Sequence, residues 1–336
     1  MRITGQIRTI ALFACAMMLL SASAAHAGAR LDAIKARGAL NCGVGASVPG
    51  FSKPDAQGVY RGFDADICRA VAAAIFGNPA KVAFKPADTL VNFLKAGDVD
   101  LVLRGLTWTF QREMRQELRF GPIILYDGQS FLVTKKSGIA DVAALSGKTV
   151  CVSTDAEFLS TLRYYFRVHN LVLKAVVKDK RADSEDGFFK GECDAMAADS
   201  SELAEAVIGK AKNAGDYVIL PEQLSKEPLA PLLRKGDDEF LDVVRWAIFA
   251  LIDAEELGIG SANADSMRMS DNPEVKAFFA SAPPNGGVSP SWTYDIVKSV
   301  GNYGEVFERN FGPARLPRAL NRSWKSGGLL YAPPVR

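Results

Sequence analysis

The sequence predicts an α/β protein of two lobes, each with a mainly parallel sheet flanked by helices. Three observations indicate this fold. Strand-like apolar runs alternate with amphipathic helical runs between residues 30 and 133, and the alternation starts again after residue 138. The chain has 336 residues, 48% of them apolar, which is enough to fill two packed domains. Such alternation is typical of βαβ units, whose ligands bind where the strands end.

The first half of the chain supplies one lobe. A loop rich in proline and glycine, from Gly45 to Gly62, separates the first strand from an amphipathic helix that begins at Phe63. Asp64 and Asp66 lie in the first turn of this helix, where carboxylates are favoured. The predicted elements are strand Ala39–Val44, the helix at Phe63, strand Lys81–Phe84, helix Thr89–Lys95 and strand Val99–Leu103.

The second half repeats this pattern and then returns. Its predicted elements are strand Thr149–Val152, helix Glu157–Val168, strand Ala175–Lys178, helix Ser184–Lys190 and strand Asp194–Ala198. Two extended segments, Gln129–Thr134 and Pro228–Leu232, are expected to be hinge strands, and helix Asp238–Glu256 is expected to pack in the core. The predicted division is lobe 1 over residues 28–132, lobe 2 over residues 133–228, and a return to lobe 1 with a C-terminal helical extension over residues 229–336.

The first 27 residues have the pattern of a secretory signal peptide. Arg2 and Arg8 precede an apolar run from Ile10 to Leu20, and Ala25-His26-Ala27 supplies the cleavage pattern. The run is too short to span a bilayer, which takes about 20 apolar residues. We therefore expect an exported, soluble protein located in the periplasm.

Composition argues against several classes of function. After removal of residues 1–27, 38 basic residues balance 38 acidic ones and a single histidine remains. A nucleic-acid-binding protein would need a basic face, and histidine-based metal sites or catalytic triads need more histidines. Gly43-Val44-Gly45 lacks the third glycine of a dinucleotide-binding motif, and no P-loop motif occurs. We expect no metal, no cofactor and no nucleic-acid partner.

Four cysteines remain in the exported chain, which suggests disulfides. Three pairings of Cys42, Cys68, Cys151 and Cys193 are possible from sequence alone. Pairing neighbours, Cys42 with Cys68 and Cys151 with Cys193, would give each lobe one disulfide. Buried free thiols remain an alternative, and zinc binding is disfavoured because C-x-x-C spacing is absent.

The segment from Ala96 to Glu113 carries the most specific pattern in the sequence. A buried strand opens into Arg104-Gly105-Leu106-Thr107-Trp108-Thr109, and Arg112 begins the next predicted helix. Together with Gly62-Phe63-Asp64-Ala65-Asp66 and Phe120-Gly121-Pro122-Ile123, this pattern resembles the periplasmic solute-binding proteins of polar-amino-acid ABC transporters. Residues Leu40–Val44, Pro49–Ser52, Cys68–Ala74, Gly301–Asn310 and Tyr331–Arg336 are similar to the general L-amino-acid-binding branch, so the resemblance covers nearly the whole exported chain.

The resemblance implies both a fold and a function. The fold is the two-lobe, type II periplasmic-binding-protein fold with two hinge strands. The function is that of the substrate-binding component of an amino-acid ABC importer, which is not an enzyme. Its lobes close on a free L-amino acid and present it to the permease subunits, so a monomer would meet the inner membrane only through the permease.

The resemblance also assigns ligand contacts. Arg112 matches the position whose guanidinium contacts the α-carboxylate, and Thr107 and Gly105 match positions that take the ligand's charged groups. Asp199 matches the carboxylate that receives the α-ammonium. Taken alone, Arg112 is also compatible with a surface arginine, and Asp199 with a helix cap. A ligand that touches Arg112 and Asp199, one in each lobe, would stabilise the closed state.

The sequence departs from the family pattern at Ser153-Thr154-Asp155-Ala156-Glu157. Relatives mostly have a cluster of glycine and hydroxyl residues there, which binds the ligand carboxylate at a helix N-terminus. Asp155 would repel that carboxylate unless it caps its own helix, Ala156 has no hydroxyl, and Val48 is aliphatic at the usual stacking position. A cationic or modified amino acid is therefore open as the ligand.

Two other classes of function remain. A ligand-sensing protein of the same fold would signal to a receptor instead of a permease. A periplasmic dehydratase-like enzyme would use Asp155 or Glu157 as an acid in the cleft.

Overall fold

The computed structural model describes residues 29–86, 94, 97–115, 118–154, 156–280 and 287–336. The expected signal peptide lies outside these residues, as does the expected helix Thr89–Lys95 apart from Leu94. Within the described part of the chain, no helix is both long enough and apolar enough to cross a membrane. The architecture is α/β with two principal sheets, as the sequence predicts.

The elements follow the chain in three stretches. The first contains α1 (Ala29–Arg37), β1 (Leu40–Val44), β2 (Lys53–Pro54), β3 (Tyr60–Arg61), α2 (Phe63–Phe76), β4 (Val82–Pro86), β5 (Leu101–Leu103), α3 (Phe110–Arg115) and β6 (Leu118–Phe120). The second contains β7 (Leu125–Asp127), β8 (Gln129–Thr134), β9 (Thr149–Ser153), α4 (Ala156–Val168), β10 (Lys174–Lys178), α5 (Arg181–Lys190), β11 (Ala195–Asp199), α6 (Ser200–Lys210), β12 (Tyr217–Ile219) and β13 (Glu227–Leu229). The third contains β14 (Leu232–Arg234), α7 (Asp238–Glu256), α8 (Ala264–Met267), α9 (Pro273–Ala280), α10 (Trp292–Val300) and α11 (Tyr303–Phe311).

The two sheets have the same topology. Among the described residues, the lobe 1 sheet has the order β4–β1–β5–β14–β6 and the lobe 2 sheet the order β10–β9–β11–β8–β12. In lobe 1, β14 runs antiparallel to its neighbours β5 and β6, whereas β4, β1 and β5 are parallel. In lobe 2, β8 takes the antiparallel position. Both sheets are therefore mainly parallel, and the antiparallel strand of each belongs to a segment that connects the lobes.

The chain crosses between the lobes through β7 and β13. These strands pair antiparallel, with Leu125 opposite Leu229 and Asp127 opposite Glu227. Of the segments expected to be hinge strands, Gln129–Thr134 is β8 and pairs with β11 and β12 in the lobe 2 sheet. Pro228–Leu232 is divided between β13 and β14. The expected hinge segments thus continue the crossing strands into the sheets. The sequence did not separate the crossing strands from the sheet strands that follow them, because an apolar extended segment does not reveal which strand will be its partner.

Helix α2 lies at the centre of the lobe 1 core. Nearly every side chain on it is buried, including those of Asp64 and Asp66, and helices α7 and α10 pack against it. The helix ends at Gly77, which adopts the left-handed conformation that glycine favours (φ 64°) and whose N–H donates to the Ala73 carbonyl. Because α2 is fixed on several sides, the residues of its first turn are held rigidly at the edge of the lobe.

One disulfide lies in each lobe. Cys42 of β1 is bonded to Cys68 of α2, and Cys151 of β9 is bonded to Cys193, two residues before β11. These are the neighbouring pairs that the sequence favoured. Each bond ties an inner strand of its sheet to a neighbouring segment of the same lobe.

The C-terminal segment holds the first crossing strand. The buried side chain of Asn321 accepts a hydrogen bond from the Tyr126 N–H (2.7 Å) and donates one to the Tyr126 carbonyl (2.9 Å). The Tyr303 hydroxyl of α11 donates to the Ile124 carbonyl at 2.8 Å. Residues near the end of the chain thus satisfy backbone groups of β7 and of Ile124, the residue before it.

Candidate functional site

A cavity of about 310 Å³ lies between the two lobes. Lobe 1 contributes the loop after β1, the first turn of α2 and the residues after β5, while lobe 2 contributes the end of β11, the start of α5 and the first turns of α6. The described lining residues are Val48, Phe51, Asp64, Arg104, Gly105, Leu106, Arg181, Asp199, Ser201, Glu202, Glu205 and Leu229. The position agrees with the rule that ligands of α/β sheets bind at the carboxyl ends of the strands.

The lobes are close together around this cavity. A methyl group added at Gly50 in the loop after β1 would lie 3.1 Å from the Ile208 side chain of α6. One added at Gly209 would lie 3.4 Å from Pro49. The loop of lobe 1 therefore covers the C-terminal half of α6, which encloses the cavity on that side.

The lobe 1 wall contains a buried carboxylate, Asp64, in the first turn of α2. Its side chain is fully buried, and within the described residues neither oxygen has a hydrogen bond of ordinary geometry. Burial raises the pKa of Asp64 to about 7, which the Gly105 N–H only partly offsets. Gly105 itself has φ 57°, a left-handed conformation that turns the chain toward the cavity immediately after β5.

The lobe 2 wall contains Asp199 at the junction of β11 and α6. Asp199 occupies the N-cap position of α6, but its side chain makes no capping hydrogen bond, and its Oδ1 has no partner within the described residues. Burial raises its pKa, and the carboxylates of Asp127, Glu202 and Glu227 raise it further. The free energy that a cap would contribute is therefore absent, and the carboxylate is available to another group.

Asp127 supports this junction from the crossing strand. Its carboxylate accepts hydrogen bonds from the Gly128 N–H (2.9 Å) and the Ser201 N–H (3.2 Å), and also from the Ser201 hydroxyl. Burial is the main reason that the pKa of Asp127 is raised. Strand β7 is thus joined directly to the first turn of α6, so a movement of the hinge also moves Asp199.

Arg181, the first residue of α5, is paired with several carboxylates. Its guanidinium lies 2.8 Å from Glu202 Oε1, 3.0 Å from Glu205 Oε2 and 3.4 Å from Glu185 Oε1. Burial nevertheless raises the pKa of Glu205 to about 8, because the nearby Arg181 does not offset the loss of solvation. One guanidinium therefore serves three carboxylates, two of which, those of Glu202 and Glu205, line the cavity.

Thr107 lies beside the cavity, in the segment that joins β5 to α3, and Arg112 is the third residue of α3. The Arg112 guanidinium donates to the Thr107 carbonyl at 2.7 Å, and Thr107 forms a backbone bridge with Leu229 of β13. The Trp108 N–H donates to the Pro228 carbonyl at 2.8 Å. Arg112 is therefore anchored to a loop that is itself attached to the hinge.

The structure brings together some of the residues expected at the site. Val48, Gly105 and Asp199 line one cavity from both lobes. Arg112 and Thr107 contact each other and are not among the described lining residues. Asp155 lies outside the described residues, and Ala156 is described only as the first residue of α4. Sequence reasoning did not assign the other charged lining residues to the site: Asp64, Arg104, Arg181, Glu202 and Glu205.

Raised pKa values make the stability of the ligand-free protein depend on pH. For Asp64 and Glu205 the folded-state pKa, about 7 and about 8, exceeds the unfolded value near 4, so folding binds protons. Their stabilising contribution is complete below about pH 4 and is lost as the pH rises through 7 to 8. We expect the free energy of unfolding to fall between pH 6 and pH 9 by on the order of 4 kcal/mol, measured by urea denaturation.

Asp64→Asn is the control for this prediction, since the amide does not titrate and the variant should lose less stability over the same interval. Equal stability at pH 6 and pH 9, or a rise, would contradict the assignment. Carboxylates with lowered pKa values, such as Asp55 and Asp194, titrate at lower pH and do not affect this interval.

The described residues contain no group of three or more histidine, cysteine, aspartate or glutamate side chains arranged to hold a metal ion. The polar groups that the described residues place around the cavity are carboxylates, guanidinium groups, a hydroxyl and backbone groups. Such groups recognise a small polar molecule that carries charges of both signs.

Comparison with a family model and with individual known proteins points to one class of protein. The family model for bacterial extracellular solute-binding proteins, family 3, matches residues 40–258. The general L-amino acid-binding periplasmic protein AapJ of Rhizobium johnstonii is 40% identical over 331 residues, which cover 96% of each chain. The glutamate/glutamine/aspartate/asparagine-binding protein BztA of Rhodobacter capsulatus is 41% identical over 330 residues, which cover 96% of this chain and 97% of that protein.

A solved structure of a periplasmic binding protein is also similar to this chain. An ABC transporter periplasmic binding protein from Brucella ovis, with glutathione bound, has a TM-score of 0.77 and 41% sequence identity. The match covers 91% of this chain and 99% of that one. The two-lobe arrangement described above is therefore the type II periplasmic-binding-protein fold.

Proposed function

The chain belongs to the bacterial extracellular solute-binding proteins, family 3, and from this premise we propose that it is the binding component of an amino-acid ABC importer. It would bind a free L-amino acid between its lobes and present it to the membrane permease. The observation that carries this proposal is that Gly105 of lobe 1 and Asp199 of lobe 2 line one interlobe cavity. AapJ is a general L-amino acid-binding periplasmic protein, BztA is a glutamate/glutamine/aspartate/asparagine-binding protein, and the Brucella ovis protein is an ABC transporter periplasmic binding protein.

The proposed ligand contacts divide between the lobes. Asp199 receives the α-ammonium, which supplies donors for the Oδ1 atom that lacks a partner within the described residues. The Gly105 carbonyl and the Thr107 hydroxyl add further contacts, and Arg112 binds the α-carboxylate. Val48 packs against the ligand side chain. Asp155 and Ala156 complete the proposed set by their sequence position alone.

Closure of the lobes is the proposed mechanism. A ligand that contacts Arg112 and Asp199 together is bound more tightly when both walls are near it, so it stabilises the closed state. Moving an equilibrium from 1:99 to 99:1 takes about 5.5 kcal/mol of differential affinity. A bidentate charged pair together with a carboxylate–ammonium pair, each withdrawn from water, can supply an affinity difference of this size. The crossing strands β7 and β13 are where the backbone would bend.

We further propose that residues 1–27 direct export, that the exported protein is a monomer and that it has no catalytic activity. The relatives described above are binding proteins, and the chemistry of the cavity is suited to holding a small molecule with charges of both signs. Chromatography of a bound amino acid after long incubation tests the last point, since recovery of the unchanged amino acid is expected and a new product would contradict it.

The test of the proposed function is a screen of the exported protein, residues 28–336, against the proteinogenic L-amino acids by thermal shift and calorimetry. At least one L-amino acid should raise the unfolding temperature, and the matching D-amino acid should not. Asp199→Asn should remove this stabilisation, because an amide carries no charge to pair with the ammonium. Failure of every amino acid to bind would refute the proposal.

A further inference from the structure

Carboxylates line the cavity from both lobes. Asp64 contributes one from lobe 1, and Asp199, Glu202 and Glu205 contribute three from lobe 2. Two guanidinium groups, those of Arg104 and Arg181, also line it. The described lining residues therefore carry four potential negative charges and two positive ones, an excess that a zwitterion of zero net charge does not balance.

Several of these carboxylate oxygens are buried without a donor. Within the described residues, Asp64 Oδ1 and Oδ2, Asp199 Oδ1 and Glu202 Oε2 have no hydrogen-bond partner of ordinary geometry. Asp64 has no exposed surface at all. Buried acceptors without donors are rare in native proteins because each one costs free energy. Their concentration around one cavity indicates that something bound there supplies the donors.

Arg181 is already engaged by other atoms. It pairs with Glu202 through Oε1 and with Glu205 through Oε2, so the Glu202 Oε2 atom remains without a donor in the described residues. The third partner of Arg181, Glu185, is not one of the described lining residues. The excess of negative charge is therefore not removed by the protein's own ion pairs on this wall.

An α-ammonium bound to Asp199 would supply donors to only some of these buried carboxylate oxygens. It provides one positive charge and three N–H donors, and Asp64 lies on the opposite wall. Resting on the proposed function, we propose that the preferred ligand is a cationic amino acid whose second cationic group lies between Asp64 of lobe 1 and Glu202 of lobe 2. The side-chain charge would then draw the two lobes together as the α-ammonium and α-carboxylate do.

The titration behaviour of the cavity is consistent with this assignment. Burial raises the pKa of Asp64 to about 7 and that of Glu205 to about 8, so protons occupy the carboxyls for part of the time when no cation is present. A ligand cation favours the ionised carboxylates and displaces those protons. Binding of the cationic ligand should therefore release protons to solution.

The test compares L-lysine with L-norleucine, which has the same carbon chain without the side-chain ammonium. Calorimetry on the exported protein at pH 7.5 should give a dissociation constant at least 10-fold lower for L-lysine or L-arginine than for L-norleucine. Repeating the L-lysine titration in two buffers of different ionisation enthalpy should reveal net proton release. Equal affinity for L-lysine and L-norleucine, or tighter binding of L-glutamate, would overturn the inference and leave the proposed function intact.

Two variants locate the effect. Glu202→Gln and Asp64→Asn should each reduce the preference for L-lysine over L-norleucine by about 10-fold, a loss of roughly 1.4 kcal/mol, with little change in L-norleucine affinity. Glu185→Gln is the matched control, because it removes a partner of Arg181 outside the described lining and should keep the preference. A preference that is unchanged in a folded Glu202→Gln variant would refute the assigned position, and no binding of any amino acid would refute the proposed function itself.

Discussion

Replacing Arg112 with alanine is expected to weaken amino-acid binding by about 30- to 5,000-fold, the equivalent of about 2–5 kcal/mol. The guanidinium is the group proposed to bind the α-carboxylate, and its removal would leave that carboxylate without a counter-charge in a site withdrawn from water. The side chain is held in place by the hydrogen bond to the Thr107 carbonyl (2.7 Å), so the loss concerns an ordered group. Calorimetry with the amino acid identified by the screen measures the effect.

Two further variants separate this role from general effects of charge. Arg119 of β6 is exposed and lies on the same lobe, so Arg119→Ala removes the same charge without a proposed contact and should bind normally. Arg112→Lys retains the charge but not the planar fork and should recover only part of the affinity. Binding that survives Arg112→Ala unchanged would show that the carboxylate is held elsewhere.

The strands and helices were predictable from sequence wherever burial is nearly continuous. Strands β1 and β9 are short apolar runs flanked by loops or helices, and α7 shows an apolar side at helical spacing. Which strands pair with each other in the sheets was not predictable in the same way. Segment Gln129–Thr134 has the apolar character expected of any buried strand, and its partners β11 and β12 lie more than 60 residues away in sequence, so local pattern holds no information about them.

The site was predictable only in part, for a related reason. Asp199 ends the buried strand β11 and Gly105 lies two residues after the buried strand β5, and the sheet topology brings such positions to one edge. Asp64 has the same sequence signature as any carboxylate that favours a helix N-terminus, so its complete burial could not be inferred from its position. Glu202 and Glu205 are three residues apart on α6, a spacing also typical of a solvated helix face.

The ion pairs of Arg181 explain why the charged residues on the lobe 2 side of the cavity were not predicted from sequence. The helix expected to begin at Ser184 begins instead at Arg181, which places the guanidinium at the helix start beside α6. The contact joins residues more than 20 positions apart and depends on the packing of two helices. No periodicity within either helix carries that information, so the charge of the cavity is a property of the tertiary structure.

Replacing Gly62 with alanine is expected to destabilise the protein by more than 3 kcal/mol, since strain at a special backbone conformation combines with an atomic overlap. Gly62 has φ 131°, and a Cβ atom there would lie 2.1 Å from the carbonyl oxygen of Phe51. The neighbouring backbone is fixed by the hydrogen bond from the Phe63 N–H to the Gly50 carbonyl (2.8 Å), so it cannot move without disturbing the loop after β1. Urea denaturation measures the loss.

Gly58→Ala is the matched control in the same loop. Gly58 also has a left-handed conformation (φ 79°), but a Cβ there would meet no described atom within 4 Å, so only the strain of about 1–2 kcal/mol applies. The difference between the two variants therefore isolates the close approach of Gly62 to Phe51. Because Gly62 precedes α2 directly, any displacement that relieves the overlap also shifts Asp64 and Phe51 in the cavity wall, so Gly62→Ala should weaken ligand binding while Gly58→Ala should not. Equal losses of stability in the two variants would mean that the loop yields at no cost, and Asp64 would then not be held rigidly.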